Sequence, residues 1–174
     1  MSIFRPLLLA TLTGIGCALG AAQAVAATPK LIGSFKDWDS FELIEGKAKT
    51  CYMRSGPIES KPSGVKRGEI NLFVTHRPAD KTLNEVSILT GYPYKPGSTA
   101  TVTIGKAKFE LFTDADSAWV ERAKDEARLV AAMKAGAQLT VAGTSARGTK
   151  TTDRYSLAGF SGAHQAINKA CGVK

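Results

Sequence analysis

The side chains able to do chemistry are few and mostly far apart in the chain. The segment Gly159-Phe160-Ser161-Gly162-Ala163-His164 resembles a nucleophile elbow, which sets a serine on a sharp strand-to-helix turn between flanking glycines. Ala163 stands where the second flanking glycine belongs. A serine just ahead of a helix is also the ordinary N-cap, its hydroxyl accepting a bond from an unsatisfied backbone N–H, and this is the role expected of Ser161. With Asp153 and His164 it makes the residue set of a Ser-His-Asp hydrolase, so a periplasmic serine hydrolase using Ser161 and His164 is carried as an alternative. His76 and His164 are the two histidines, with no cysteine or carboxylate at ligand spacing, which gives no metal site and no cofactor. Asp114 and Asp116 read as carboxylates at the start of a helix ahead of a metal pair. Asp37/Asp39 and Asp125/Glu126 are unspecific for glycoside chemistry. No catalytic residue is assigned, and the chain is expected not to be an enzyme.

Three cysteines remain to be placed. Residues 1 to about 26 carry Arg5, an apolar run from Pro6 to Leu19 and small-residue cleavage patterns at Ala22-Gln23-Ala24 and Ala24-Val25-Ala26, the marks of a cleavable signal peptide. Cys17 falls inside it, and Gly14 occupies the place where a lipobox has a branched aliphatic residue, so lipidation is not expected. Export puts Cys51 and Cys171 in an oxidising compartment, where an even count far from any Cys-x-x-Cys motif favours a structural disulfide over a redox pair. Residues 27–174 then form one exported domain, periplasmic, outer-envelope or secreted, at most peripherally attached to membrane because no second apolar run approaches about 20 residues.

The formal net charge is +8, and loss of Arg5 leaves +7. Such an excess attracts anionic surfaces over a Debye length of about 8–10 Å. Lys47, Lys49, Lys61, Lys66 and Arg67 gather in sequence around the Pro/Gly/Ser loop Pro57 to Gly64, expected to be mobile, and are the candidate anionic-contact face. Nucleic acid is not an expected partner, since the basic residues are scattered and Phe109, Phe112 and Trp119 are placed as core.

The elements that must position these groups are mainly strands. Trp38 to Ile44, Thr50 to Ser55, Ile70 to Thr75, Glu85 to Leu89, Thr99 to Ile104, Lys106 to Phe112, Gln138 to Ser145 and Arg154 to Leu157 are short, rich in β-branched or aromatic residues and bounded by turn formers. The pair around Gly105 alternates on both sides and predicts a half-buried hairpin. Trp119, Ala123, Ala127, Val130 and Met133 recur every three to four residues, predicting an amphipathic helix over about 117–135 stopped by Gly136. Ala163, Ala166, Ile167 and Ala170 stripe a short helix over about 162–171 whose face also carries Cys171. The fold class is therefore mainly β, an antiparallel β-sandwich or barrel-like domain with two helices.

Several short motifs run in order along the mature chain: Asp37-Trp38, Cys51-Tyr52, Arg67-Gly68, Asn84-Glu85-Val86-Ser87, Gly91-Tyr92-Pro93, Ala118-Trp119, Ala132-Met133, Gly143-Thr144-Ser145, Arg147-Gly148-Thr149, Thr152-Asp153, Tyr155-Ser156-Leu157 and Gly159-Phe160-Ser161, closing on Cys171. In these the sequence resembles the invasion-associated locus B family of exported alphaproteobacterial proteins. The resemblance implies a periplasmic or envelope-associated protein with a link, through the family's named member, to entry into host erythrocytes. It brings no catalytic or ligand residues, and the motif positions themselves read as core aromatics, turns and disulfide. The expected role is a non-enzymatic binding or structural protein, with an envelope component, a host-surface protein or an anionic polymer as partner. A small-ligand carrier with a pocket between sheet and helix is the remaining alternative.

Overall fold

Alternation at Gly105 is realised as a hairpin, and nine more strands complete a single antiparallel sheet in a computed structural model that describes residues 27–173. In chain order the elements are β1 (Lys30–Phe35), β2 (Trp38–Glu45), β3 (Ala48–Ser55), β4 (Glu59–Lys61), β5 (Asn71–Arg77), β6 (Thr82–Leu89), β7 (Thr99–Ile104), β8 (Ala107–Asp114), β9 (Ser117–Trp119), α1 (Ala123–Ala135), β10 (Gln138–Thr144), β11 (Lys150–Ser156) and α2 (Phe160–Cys171). The strand order is β1-β2-β3-β5-β6-β9-β8-β7-β10-β11-β4, and the sheet is not closed into a barrel. Its two ends nevertheless meet. The Trp38 indole N–H donates to the Ser156 carbonyl at 3.0 Å, and the Asp37 N–H to the Ala158 carbonyl at 3.4 Å, so β2 and the end of β11 lie together without a ladder between them. The segment expected to be a signal peptide, residues 1 to about 26, lies outside the described residues.

One face of the curled sheet carries the core. Inward positions of successive strands, among them Met53, Leu72, Val74, Ile88, Val102 and Leu111, are buried, and both helices pack on this side. α2 uses Phe160, Ala163, His164 and Ile167, close to the predicted stripe, and the Phe160 ring meets the Trp38 indole edge-on at 5.0 Å. Cys51 and Cys171 are joined in a disulfide with Cα atoms 6.0 Å apart, tying the end of α2 to β3.

Three sequence expectations need correction. The first helix begins at Ala123, not near 117: Ser117–Trp119 pair with β6 and β8 as a strand, and α1 buries Leu129, Val130 and Met133 while Ala123 and Ala127 face water. Asp114 and Asp116 therefore do not cap it. Asp114 ends β8, the Asp116 carbonyl accepts from Thr90, and the carboxylates in the first turn of α1 are Asp125 and Glu126. Finally, Pro57 to Gly64 is not wholly irregular, because β4 pairs with β11 and Glu59 bonds Arg154 at 2.8 Å.

Candidate functional site

Ser161 is not an N-cap. α2 starts one residue earlier, with Gly159 at its N-terminus in a left-handed conformation (φ +91°) where a Cβ would strike the Phe35 carbonyl. Only glycine fits there, which explains the first glycine of the elbow-like segment without catalysis. Ser161 is exposed in the first turn, whereas His164 is buried and bonded through Nε2 to the Asn84 side-chain oxygen at 2.7 Å. Asp153 is committed elsewhere. The Ser161/His164/Asp153 set is not assembled into a relay.

The two histidines instead anchor α2. His76 Nε2 bonds the Asn168 side-chain oxygen at 2.7 Å, its Nδ1 accepts the Asn84 N–H at 3.0 Å, and the two imidazoles lie edge to face at 5.7 Å. Burial, then Lys134 and His76, push His164 down to about 4, and burial likewise lowers His76. A base whose folded pKa lies below its unfolded value of about 6.5 contributes stability that is complete above pH 6.5 and lost as pH falls through the window down to about 4. Unfolding midpoints in urea at pH 7 and pH 5 are expected to report a loss of about 2 kcal/mol from His164 alone. His164→Gln should flatten that dependence; an equally steep dependence in the variant would assign it to other groups.

A different set of residues forms the best-defined cleft. Arg67, on the loop between β4 and β5, lays its guanidinium against Asp153 of β11 in a two-pronged pair at 2.7 and 2.6 Å, while its Nε donates to the Thr90 carbonyl at 2.9 Å. Both side chains are buried, at 7% and 1% exposure. Burial works against the charged guanidinium, and the Asp153 carboxylate more than offsets it, so that Arg67 is held above its ordinary pKa. The Tyr92 ring stacks on the guanidinium at 4.9 Å, and its hydroxyl meets that of Thr151 at 2.5 Å. Behind it, the Tyr94 and Tyr155 hydroxyls are buried with no hydrogen-bond partner among the described residues, and burial pushes both phenols far up, keeping them protonated.

Glycine fixes the walls. Gly91 adopts φ +69° and lies so close to Gly68 that a Cβ would stand 2.6 Å from the Gly68 carbonyl oxygen, and the Gly68 N–H donates to the Gly91 carbonyl at 2.8 Å. Opposite, the Ala146 N–H donates to the Pro93 carbonyl at 2.8 Å, attaching the turn after β10. These contacts enclose a cleft of about 270 Å³ among loops, lined by residues 65–67, 91–93, the 145–149 turn and Thr151. Lys66 and Arg147 are exposed on its lining, Val65, Tyr92 and Pro93 supply apolar surface, and no carboxylate lines it.

Of the candidate cations, Lys66 and Arg67 share this cleft, but with different roles: Arg67 is neutralised in the floor and Lys66 is exposed. Lys49 pairs with Glu42 and donates to the Ala170 carbonyl, Lys47 lies in the β2–β3 turn, and Lys61 pairs with Glu59 on β4. No hydrogen bond or ion pair brings the five into one cluster. Arg147 and Tyr92 escaped the sequence reading, although both lie in motifs that carry the family resemblance. Among the described residues no helix is long and apolar enough to cross a membrane. A family model described as Invasion associated locus B (IalB) protein matches residues 38–168. No curated protein and no solved structure matches the chain.

Proposed function

Because the chain belongs to the invasion associated locus B family, we propose that it is an exported, non-enzymatic envelope protein, periplasmic or surface-located, whose cationic cleft receives an anionic group of an envelope component or of a host surface. The observation that carries this reading is the pairing of two exposed cations, Lys66 and Arg147, with an apolar wall and no carboxylate. Motif segments distant in sequence, at Arg67-Gly68, Gly91-Tyr92-Pro93, Ser145, Arg147 and Asp153, build the lining and floor of that one cleft. The buried Arg67–Asp153 pair acts as scaffold: it consumes its own charge and holds the loops, leaving the rim to meet the partner. Export is supported by the N-terminal segment and by the disulfide, which suits an oxidising compartment.

The test compares binding of the mature protein to isolated envelopes and to vesicles containing an anionic lipid. Lys66→Glu combined with Arg147→Glu is expected to weaken binding roughly tenfold or more at low salt, with the difference shrinking as salt screens it. Lys47→Glu, away from the cleft, should change little. Equal binding of all three proteins would overturn the cleft as the contact site. Arg67 is unsuitable for charge reversal, because a carboxylate there would face Asp153 in the interior.

A further inference from the structure

The helices and the core take one face of the sheet; the opposite face of β2, β3, β5, β9 and β8 presents Phe41, Tyr52, Phe73, Trp119 and Phe112. Their order follows the ladder. Phe41 pairs with Tyr52 and stacks on it at 5.1 Å, Tyr52 meets Phe73 at 6.2 Å, and Phe112 pairs with Trp119 and stacks at 5.6 Å. Ser87 of β6 is the register partner of both Phe73 and Trp119, so a single small polar residue separates the two groups of rings. Phe112 is 46% exposed and the other four rings are half-buried. The expectation that Phe112 and Trp119 belong to the core is thus corrected, since alternation turns both outward while Phe109 and Leu111 face in.

A row of partly exposed aromatics crossing six neighbouring strands is an arranged surface, not the scattered apolar exposure any protein shows. At a strand spacing of about 4.8 Å it extends roughly 24 Å along the ladder, enough for several sugar units end to end. Beside it Arg54 lies over the Phe41 ring at 5.3 Å and pairs with Glu69 at 3.3 Å, Arg77 pairs with Glu85 at 2.5 Å, Glu110 accepts from the Thr99 and Thr101 hydroxyls, and Asp114 and Glu121 line the hollow against Phe112 and Trp119. Arg54 and Arg77 are thus neutralised on the protein itself, and the carboxylates left at the Phe112 end can accept hydrogen bonds from hydroxyls while disfavouring an anionic partner. Flat rings separated by a hydroxyl and by paired polar groups suit a molecule that is apolar on its faces and hydroxylated at its edges. Those are the properties of a pyranose, whose axial C–H groups stack on aromatic faces while its hydroxyls take hydrogen bonds at the sides.

We propose that this outer face binds a linear chain of uncharged pyranose sugars, plain or N-acetylated, laid across the strands from Phe41 to Phe112. The site is separate from the cationic cleft and does not depend on it.

The sequence provides its own reporter. There are two tryptophans, Trp38 buried at 1% exposure and Trp119 in the row. Titration of the mature protein with β-1,4-linked hexasaccharides of glucose and of N-acetylglucosamine is expected to give a saturable change in emission with at least one of them. Trp119→Phe should remove the change while calorimetry still detects binding. Tyr52→Ala and Phe112→Ala should each weaken binding about tenfold, equivalent to about 1.4 kcal/mol, with thermal midpoints confirming that both variants fold. Lys66→Glu with Arg147→Glu should leave sugar binding unchanged, so failure of the cleft and failure of the aromatic row are distinguishable. The proposal is overturned if neither hexasaccharide binds by fluorescence and calorimetry, or if binding is indifferent to the Tyr52 and Phe112 variants. It is also overturned if ultracentrifugation shows the wild type self-associating through this face and Trp119→Ala abolishing that, since a second copy would then be the occupant.

Discussion

Asp153→Ala is expected to destabilise the fold by about 3–5 kcal/mol, because it leaves the Arg67 guanidinium buried without its counter-ion. Both carboxylate oxygens of Asp153 accept from that guanidinium, and neither side chain has appreciable access to water. The Thr90 carbonyl and the Tyr92 ring remain as partners, but neither carries a compensating charge. Urea unfolding at pH 7 measures the effect. Replacing both partners at once, Arg67→Met with Asp153→Leu, should recover most of the loss, since two apolar side chains of similar bulk avoid the desolvation that a lone buried charge suffers. A single-variant loss below about 1 kcal/mol would mean that the pair is solvated and does not hold the cleft floor.

The same pair shows where reading the sequence stops. Arg67 and Asp153 are 86 residues apart, and nothing periodic links them. Proximity in sequence grouped Lys61, Lys66 and Arg67 as one surface, yet each has a different environment once β4 joins β11 and the 65–67 loop folds over Gly91. Local alternation, by contrast, is enough to place β7 and β8, whose buried and exposed residues follow the expected two-residue period. It fails at β9 for a physical reason. Ser117-Ala118-Trp119 is too short to show its own period, and Trp119 falls in phase with the helix that follows, so only long-range pairing with Ser87 and Phe112 separates them. That one misplacement conceals the outer aromatic row, because a Trp119 assigned to a helix stripe points into the core. β1 and β4 were missed for related reasons: the first is interrupted by Gly33, where its register shifts, and the second has three residues. The elbow-like segment illustrates the converse. Its glycine is required by the approach of Phe35, and a motif that could mean chemistry records a packing constraint.

Cys51→Ala with Cys171→Ala is expected to lower the thermal midpoint by about 10 °C or more. The bond links residues 120 apart in sequence, so it constrains nearly the whole domain in the unfolded state, and chain entropy assigns about 4–5 kcal/mol to a loop of this length. For a domain of this size each kcal/mol moves the midpoint by about 2–4 °C. Against total stabilities of about 5–15 kcal/mol this is a large fraction, but α2 has other anchors. Phe160 packs on Trp38, and His76 and His164 bond Asn168 and Asn84. The folded variant should therefore keep its helical far-ultraviolet signal at 25 °C and fail only on heating. If the helical signal were lost at 25 °C, the sulfur bridge and not the histidine network would be what docks α2. If the midpoint fell by less than about 3 °C, the ends of the loop would already be close in the unfolded chain, and the entropic account would be wrong for this protein.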